Sequence, residues 1–290
     1  MRYVPFQSVA PAETFKGGSM GKGTNCADRH EVDICVIFYG MMPTSRDMKK
    51  YVALLYSALS SSPQFSNVQE SEHSKTVGDP VSGQIEIHFR SIEVTYKGVK
   101  FDILPSPPPV DGKALQRSMW YTTLNRKTQL PYAHATASHD QVQFIGNTSA
   151  KGKDLIRMVK LWTRLPIWGW SKREKNQPSS YLLELISKKV FETLGSTKQL
   201  NDLFKTVMQQ LAAPSFDINW SARFKSTWKN VAGPINGRRV LDPVNATNNV
   251  CSVVKDWSLV VSKASGLLKQ QSQSQGIQKI LWFCFLPTGS

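Results

Sequence analysis

The sequence predicts an α+β protein whose first part forms a sheet and whose second part is mainly helical. Three observations carry this. Residues 84–89 and 92–96 alternate apolar and polar side chains, and Lys97-Gly98 turns the chain into a third strand over 99–104. The proline run from Pro105 to Pro109 then ends the sheet-forming region. Beyond it, apolar residues recur at helical spacing over 153–165, 180–194, 198–212 and 252–269. Strands followed by helices imply two lobes, placed at residues 1–106 and 107–290.

Within the first lobe, residues 16–24 read Lys-Gly-Gly-Ser-Met-Gly-Lys-Gly-Thr. Gly17 and Gly18 allow close backbone approach, as a phosphate-binding turn requires. This is neither a P-loop nor a dinucleotide fingerprint, because Gly21-Lys22 is followed by Gly23 and Cys26 stands where a third glycine belongs. Residues 34–39 read as a buried strand. A helix is expected over 45–60, with Ser45 as its N-cap and Met48, Val52, Leu55 and Leu59 on one face. The polar stretch 60–80 reads as a loop.

Glu31 and Asp33 lie two apart, so on a strand their side chains share a face. Asp102 interrupts an apolar strand, with Phe101 and Ile103 on the other face. If its strand lies beside that of Asp33, three carboxylates converge and require a cation. Two Mg²⁺ ions would satisfy them and grip a polyphosphate, and Mn²⁺ could replace Mg²⁺. Spacing alone leaves open that Glu31 and Asp33 are solvated charges at a strand edge and that Asp102 is salt-bridged.

The chain has 290 residues, 36 Lys and Arg against 21 Asp and Glu, a net charge of +15 and 40% hydrophobic residues. That composition fits a packed fold with an anionic partner and excludes disorder. Its cysteines, Cys26, Cys35, Cys251 and Cys284, form no zinc-binding spacing. The expectation is free thiols in a cytoplasmic or nuclear protein with no membrane span. In the helical part, Lys153, Arg157, Lys160 and Arg164 form one basic stripe, while Leu155, Val159 and Trp162 face the core.

With these residues in view, the chain resembles the nucleotidyltransferase superfamily and, within it, the 2′-5′-oligoadenylate synthetases. The likeness rests on the glycine turn, on Glu31-Val32-Asp33, and on Phe101-Asp102-Ile103-Leu104-Pro105. It continues through Leu155-Ile156-Arg157-Met158-Val159-Lys160-Leu161-Trp162, the segment from Pro178 to Leu185, and Arg239-Val240-Leu241-Asp242-Pro243. The resemblance implies a polymerase-beta-like catalytic lobe with a mixed or antiparallel sheet. It also implies a monomeric enzyme that polymerises ATP into 2′-5′-linked oligoadenylates and is activated by double-stranded RNA. Glu31, Asp33 and Asp102 would be catalytic and metal-binding. Gly18, Ser19, Arg157 and Lys160 would meet the phosphates, and Ser180 and Tyr181 the base.

Three features depart from the family pattern. Glu31 replaces the usual Asp, as in cyclic GMP–AMP synthase, which leaves a cyclic dinucleotide as the alternative product. Sixteen residues precede Gly17, so the first lobe is expected to be short at its N-terminus, which leaves a catalytically inactive RNA-binding member as a further alternative. Val142, Gly146 and Ala150 stand where the family contacts RNA. Lys22, Lys151 and Lys153, with Lys172, Arg173 and Lys175 near the same surface, become the candidate phosphate contacts for RNA.

Overall fold

The computed structural model describes residues 13–26, 31–39, 41, 45–64, 66–70, 77–78, 85–86, 91–97, 99–106, 138–164, 177–220, 232–245 and 248–271. The chain divides into two compact units. One holds residues 1–22 and 30–143; the other holds 23–29 and 144–290. The fold is α+β, with a mixed sheet in the first unit and helices dominating the second.

The first unit is built on β1 (Glu13–Lys16), β2 (Glu31–Ile37), β3 (Ser66–Glu70), β6 (Ile92–Tyr96) and β7 (Val99–Ser106). They form a five-stranded sheet in the order β1-β2-β7-β6-β3. Two short strands, β4 (Val77–Gly78) and β5 (Ile85–Glu86), pair separately. β2 and β7 run parallel, while β1 and β6 flank them antiparallel. β6 and β7 pair antiparallel as expected of strands either side of a tight turn, with Tyr96 opposite Val99. Lys97 takes the left-handed conformation, φ 48°, that a tight hairpin favours. β7 runs past the expected end through Pro105 to Ser106. Pro105 pairs with Val36 of β2.

Alternation divides the sheet into two faces. Val36, Ile92, Val94 and Ile103 are buried together with Tyr51 and Val52 of α2 (Ser45–Ser60), and Ile34 and Phe101 pack against them. α2 has the bounds its periodicity predicts. The opposite face of β2 and β7 carries Asp33, Cys35 and Asp102. Part of the expected 60–80 loop is instead β3 and β4. The proline run after Ser106 lies outside the described residues.

The second unit contains α4 (Ala150–Trp162), α5 (Ser180–Leu194), α6 (Leu200–Ala212) and α7 (Trp257–Gln271). The boundary between the units falls inside α3 (Ser138–Gly146). Ser149 caps α4, accepting from the Gly152 N–H, and starts it three residues earlier than its apolar period suggests. Ser179 caps α5 in the same way. Gly152 permits a close approach: a Cβ there would lie 2.5 Å from Thr148 Cγ2 and 3.1 Å from Phe191 Cδ1. Leu155, Trp162, Leu182, Leu203, Phe204 and Val260 are wholly buried in one core.

A short parallel pair, β8 (Phe216–Ile218) and β9 (Arg238–Val240), closes this unit beside a single 3₁₀ turn at Val250–Val253. Buried Arg238 lies over the Trp257 ring at 4.9 Å and donates to the Ala213 carbonyl. Among the described residues, no helix is long and apolar enough to cross a membrane.

Cys251 of the 3₁₀ turn is free and fully buried, and burial pushes its thiol from 9.0 up to about 12. In the unfolded chain the thiol ionises near its ordinary value, so unfolding releases a proton at alkaline pH. Its contribution to stability is therefore complete below pH 9 and is lost from there toward pH 12, by about 1.4 kcal/mol per pH unit. Urea titrations of wild type and Cys251→Ala across that range should show the wild type losing stability more steeply.

Candidate active site

The site is built from the backbone outward. β1 ends at Lys16, paired with Ile34, and the chain bends at Gly17, whose N–H donates to the Asp33 carbonyl at 2.7 Å. Gly18 has φ 50° and opens the one-turn helix α1 (Gly18–Lys22). A Cβ on Gly18 would lie 1.6 Å from Asp33 Oδ2, and one on Gly17 would lie 3.1 Å from Cys35 Sγ. No side chain fits at Gly18. The turn lies directly against the Asp33 carboxylate, with half-buried Ser19 next in line.

Parallel pairing of β2 and β7 sets Asp33 opposite Asp102 and Glu31 opposite Lys100. Paired residues project to the same face, so the two aspartates are neighbours. Cys35 registers both of them. Its thiol is pushed up to about 12 by burial, then by the charges of Asp33 and Asp102, with Lys22 opposing. The Glu31 side chain lies outside the described set; its backbone places it on the face of Asp33.

A residue not anticipated from the sequence completes the row. Glu93 of β6 stands opposite Asp102 on the side away from Asp33. It also accepts from Lys100 Nζ at 2.9 Å. The signal was present, because a turn of two residues at Lys97-Gly98 fixes Glu93 against Asp102.

Like charges on adjacent strands oppose folding unless a cation offsets them. Oxygen donors from Asp33 and Asp102, with Glu31 in register, suit a hard divalent cation such as Mg²⁺. Among the described side chains no group of three metal-ligating residues assembles. Asp33 and Asp102 supply two donors, and Glu31 lies outside that search.

The remaining candidates lie in the second unit, apart from Lys22 at the end of α1. Arg157 donates to Asp154 Oδ1 at 2.6 Å and to the Gly23 carbonyl at 2.7 Å, and stays partly exposed. Lys160, expected with Arg157 at a triphosphate, is fully buried. Its ammonium lies 3.1 Å from Glu184 and donates to the Thr24 carbonyl at 3.0 Å. The basic stripe is thus partly exposed at Lys153, Arg157 and Arg164 and closed at Lys160.

Ser180 opens α5, and Tyr181 donates its hydroxyl to Asp242 Oδ1 at 2.9 Å. Asp242 is itself buried, accepting also from the Val244 N–H and from Asn248 Nδ2. Lys151 donates to the Ser196 carbonyl, and Lys153 lies beside Gly23. Lys172, Arg173 and Lys175 lie outside the described residues. Thr24, Glu184 and Asp242 lie in segments that carry the resemblance but were not singled out as site residues. An acid set within the leucine run Leu182 to Leu185 was the available hint at Glu184.

Comparison with known proteins decides the family. Residues 116–283, more than half of the chain, match the model of 2′-5′-oligoadenylate synthetase 1, domain 2, C-terminus. The chain belongs to the 2′-5′-oligoadenylate synthetase family. It is 24% identical over 263 residues to 2′-5′-oligoadenylate synthase 2 of Rattus norvegicus, covering 86% of this chain and 34% of that protein. Against 2′-5′-oligoadenylate synthase-like protein 2 of Mus musculus the identity is 25%, covering 91% of this chain and 55% of that protein. The chain thus spans about a third and about half of the length of these two relatives.

Among solved structures, the fold is similar to E. coli MS115-1 CdnC in complex with HORMA-deltaN. There the TM-score is 0.60 at 14% identity, covering 96% of this chain and 83% of that one. It is also similar to the Bradyrhizobium diazoefficiens CD-NTase CdnG in complex with GTP, at TM-score 0.54 and 15% identity, covering 95% and 82%. The likeness in fold is that of nucleotidyltransferases.

Gly18→Ala should destabilise this family member by about 1–3 kcal/mol, because alanine resists φ 50° and its methyl overlaps the Asp33 carboxylate. Urea unfolding of the variant measures the loss, and an unchanged midpoint would contradict the close seat of Gly18 on the Asp33 carboxylate.

Proposed function

We propose that the chain is a template-independent nucleotidyltransferase that joins ATP into 2′-5′-linked oligoadenylates with release of pyrophosphate. The observation that carries this is the adjacency of Asp33 and Asp102 on parallel strands, with Gly18 seated against the Asp33 carboxylate. The family match supports the choice of ATP.

Glu31, Asp33 and Asp102 are the residues that would hold two divalent cations, Mg²⁺ or Mn²⁺. Bound there, such ions stabilise negative charge on the α-phosphate and on the departing pyrophosphate. Asp102 accepts the proton of the attacking ribose hydroxyl and passes it to solvent. The new bond joins that oxygen to the α-phosphorus, and the bond from the α-phosphorus to the bridging oxygen breaks. Gly18 and Ser19 offer backbone and hydroxyl donors to the donor phosphates.

In the second unit, Arg157 meets the triphosphate, Ser180 the edge of the base and Tyr181 its face. The Tyr181 hydroxyl, held by Asp242, fixes the plane of that ring. Lys160, whose ammonium pairs with Glu184 and the Thr24 carbonyl, is assigned to the same triphosphate.

A second reading, synthesis of a cyclic dinucleotide, is favoured by one residue, Glu31 in place of the usual Asp. Incubation with ATP, GTP, Mg²⁺ and duplex RNA, with products resolved by mass and by linkage-specific nucleases, separates the two. Double-stranded RNA is the proposed activator, held through phosphate by Lys22, Lys151 and Lys153.

Asp102→Ala should abolish product, a loss of at least about a hundredfold for a positioned acid–base group, while the melting temperature stays near wild type. Normal turnover by a folded Asp102→Ala protein would overturn the mechanism. RNA affinity should fall linearly with salt on logarithmic axes, with a slope of about −0.7 to −0.9 per phosphate contact. Lys151→Ala and Lys153→Ala should each make that slope shallower in a filter-binding titration.

A further inference from the structure

Three acids stand in one line across the sheet of the first unit. Asp33 of β2 is opposite Asp102 of β7, and Asp102 is opposite Glu93 of β6. Ile92 and Val94 of β6 pack in the core, so strand alternation turns Glu93 to the face that carries Asp102. Directly opposed residues on adjacent strands have Cβ atoms about 4.5–5.5 Å apart, close enough for two carboxylates to share one cation. Sheet geometry alone would therefore admit Glu93 to the metal site.

Lys100 stands in the way. It lies two residues before Asp102 on β7, on the same face, and its Nζ is 2.9 Å from Glu93 Oε1. Among the described residues, Glu93 does not assemble with Asp33 and Asp102 into a metal-ligating group of three. Lys100 is 60% exposed and Glu93 23%, and a pair so open to water adds little to stability. Its larger effect is on the ligand count, because a carboxylate engaged by an ammonium is withdrawn from a neighbouring cation. Ligand count bears on metal choice. Mg²⁺ keeps several waters and takes few carboxylates in strict octahedral geometry, whereas Ca²⁺ takes about six to eight oxygens in flexible geometry.

We propose that Lys100 is a specificity-determining residue of the metal site: by holding Glu93 it keeps the carboxylate set small, which favours Mg²⁺ over Ca²⁺. The proposal rests on the reading that Asp33 and Asp102 hold a divalent cation.

Calorimetric titration of the nucleotide-free full chain with MgCl₂ and, separately, with CaCl₂ tests it. Lys100→Met keeps an unbranched side chain and removes the ammonium from Glu93. This variant should bind Ca²⁺ about tenfold more tightly than wild type, and Mg²⁺ less than about threefold more tightly. Combining Lys100→Met with Glu93→Gln removes both charges and should return the ratio of the two affinities to the wild-type value. Thermal melts of the metal-free proteins, expected near wild type for so exposed a pair, show that each variant is folded.

An unchanged ratio in Lys100→Met would overturn the proposal, because equal gains for both ions reflect lost positive charge alone. A shifted ratio that persists in the double variant would overturn it too, because Glu93 would not be its source. If wild-type protein binds neither ion, it is the metal reading of Asp33 and Asp102 that fails, and the proposal falls with it.

Discussion

The contact between the glycine turn and Asp33 is the constraint on which the proposed chemistry depends. It consists of one backbone hydrogen bond, from Gly17 to the Asp33 carbonyl, and of the space left by the missing side chain at Gly18. That space is occupied by the Asp33 carboxylate itself. The glycines therefore hold a donor-rich turn against an acid, which an anionic ligand could share only with a cation between them. β7 then places Asp102 beside Asp33, and both acids are fixed by sheet hydrogen bonds rather than by flexible loops.

Gathering carboxylates on one face costs stability, and the opposite face offsets it. Ile34 beside Asp33, Val36 further along β2, and Phe101 and Ile103 on either side of Asp102 pack with α2 in the core of the first unit. Strand alternation makes the two roles inseparable, since residues that anchor each strand alternate with its acid. Lys100 contributes from the acid face by pairing with Glu93. This leaves Asp33 and Asp102 as the pair nearest the glycine turn.

Elements set by local signals were legible in the sequence. α2 and α5 have their expected bounds because local periodicity sets them, with Ser179 capping α5. The β6–β7 hairpin followed from Lys97-Gly98. β3 was missed because Ser66–Glu70 is too polar to alternate, and it forms against β6 at long range. The end of β7 was missed because Pro105 reads as a breaker, although here it continues the pairing with β2. The acid pair was anticipated from spacing, but its parallel register needed the sheet.

Lys160 shows where periodicity stops informing. Spacing placed it on a stripe with Arg157 and Arg164, and on an isolated helix that stripe faces water. Burial instead depends on what packs over the helix, here Thr24 and Glu184, which are distant in sequence. The same dependence gives the family segments two separable meanings. Asp33 and Asp102 are the acids proposed to carry the chemistry, whereas Glu184 and Asp242 are acids that hold other residues in place: Thr24 with Lys160 in one case, Tyr181 in the other. Residues 23–26 group with the second unit although they directly follow α1 of the first. A segment so short has no core of its own. Its path is set by a few directional contacts, among them a buried ion pair gripping the Thr24 carbonyl and hydroxyl.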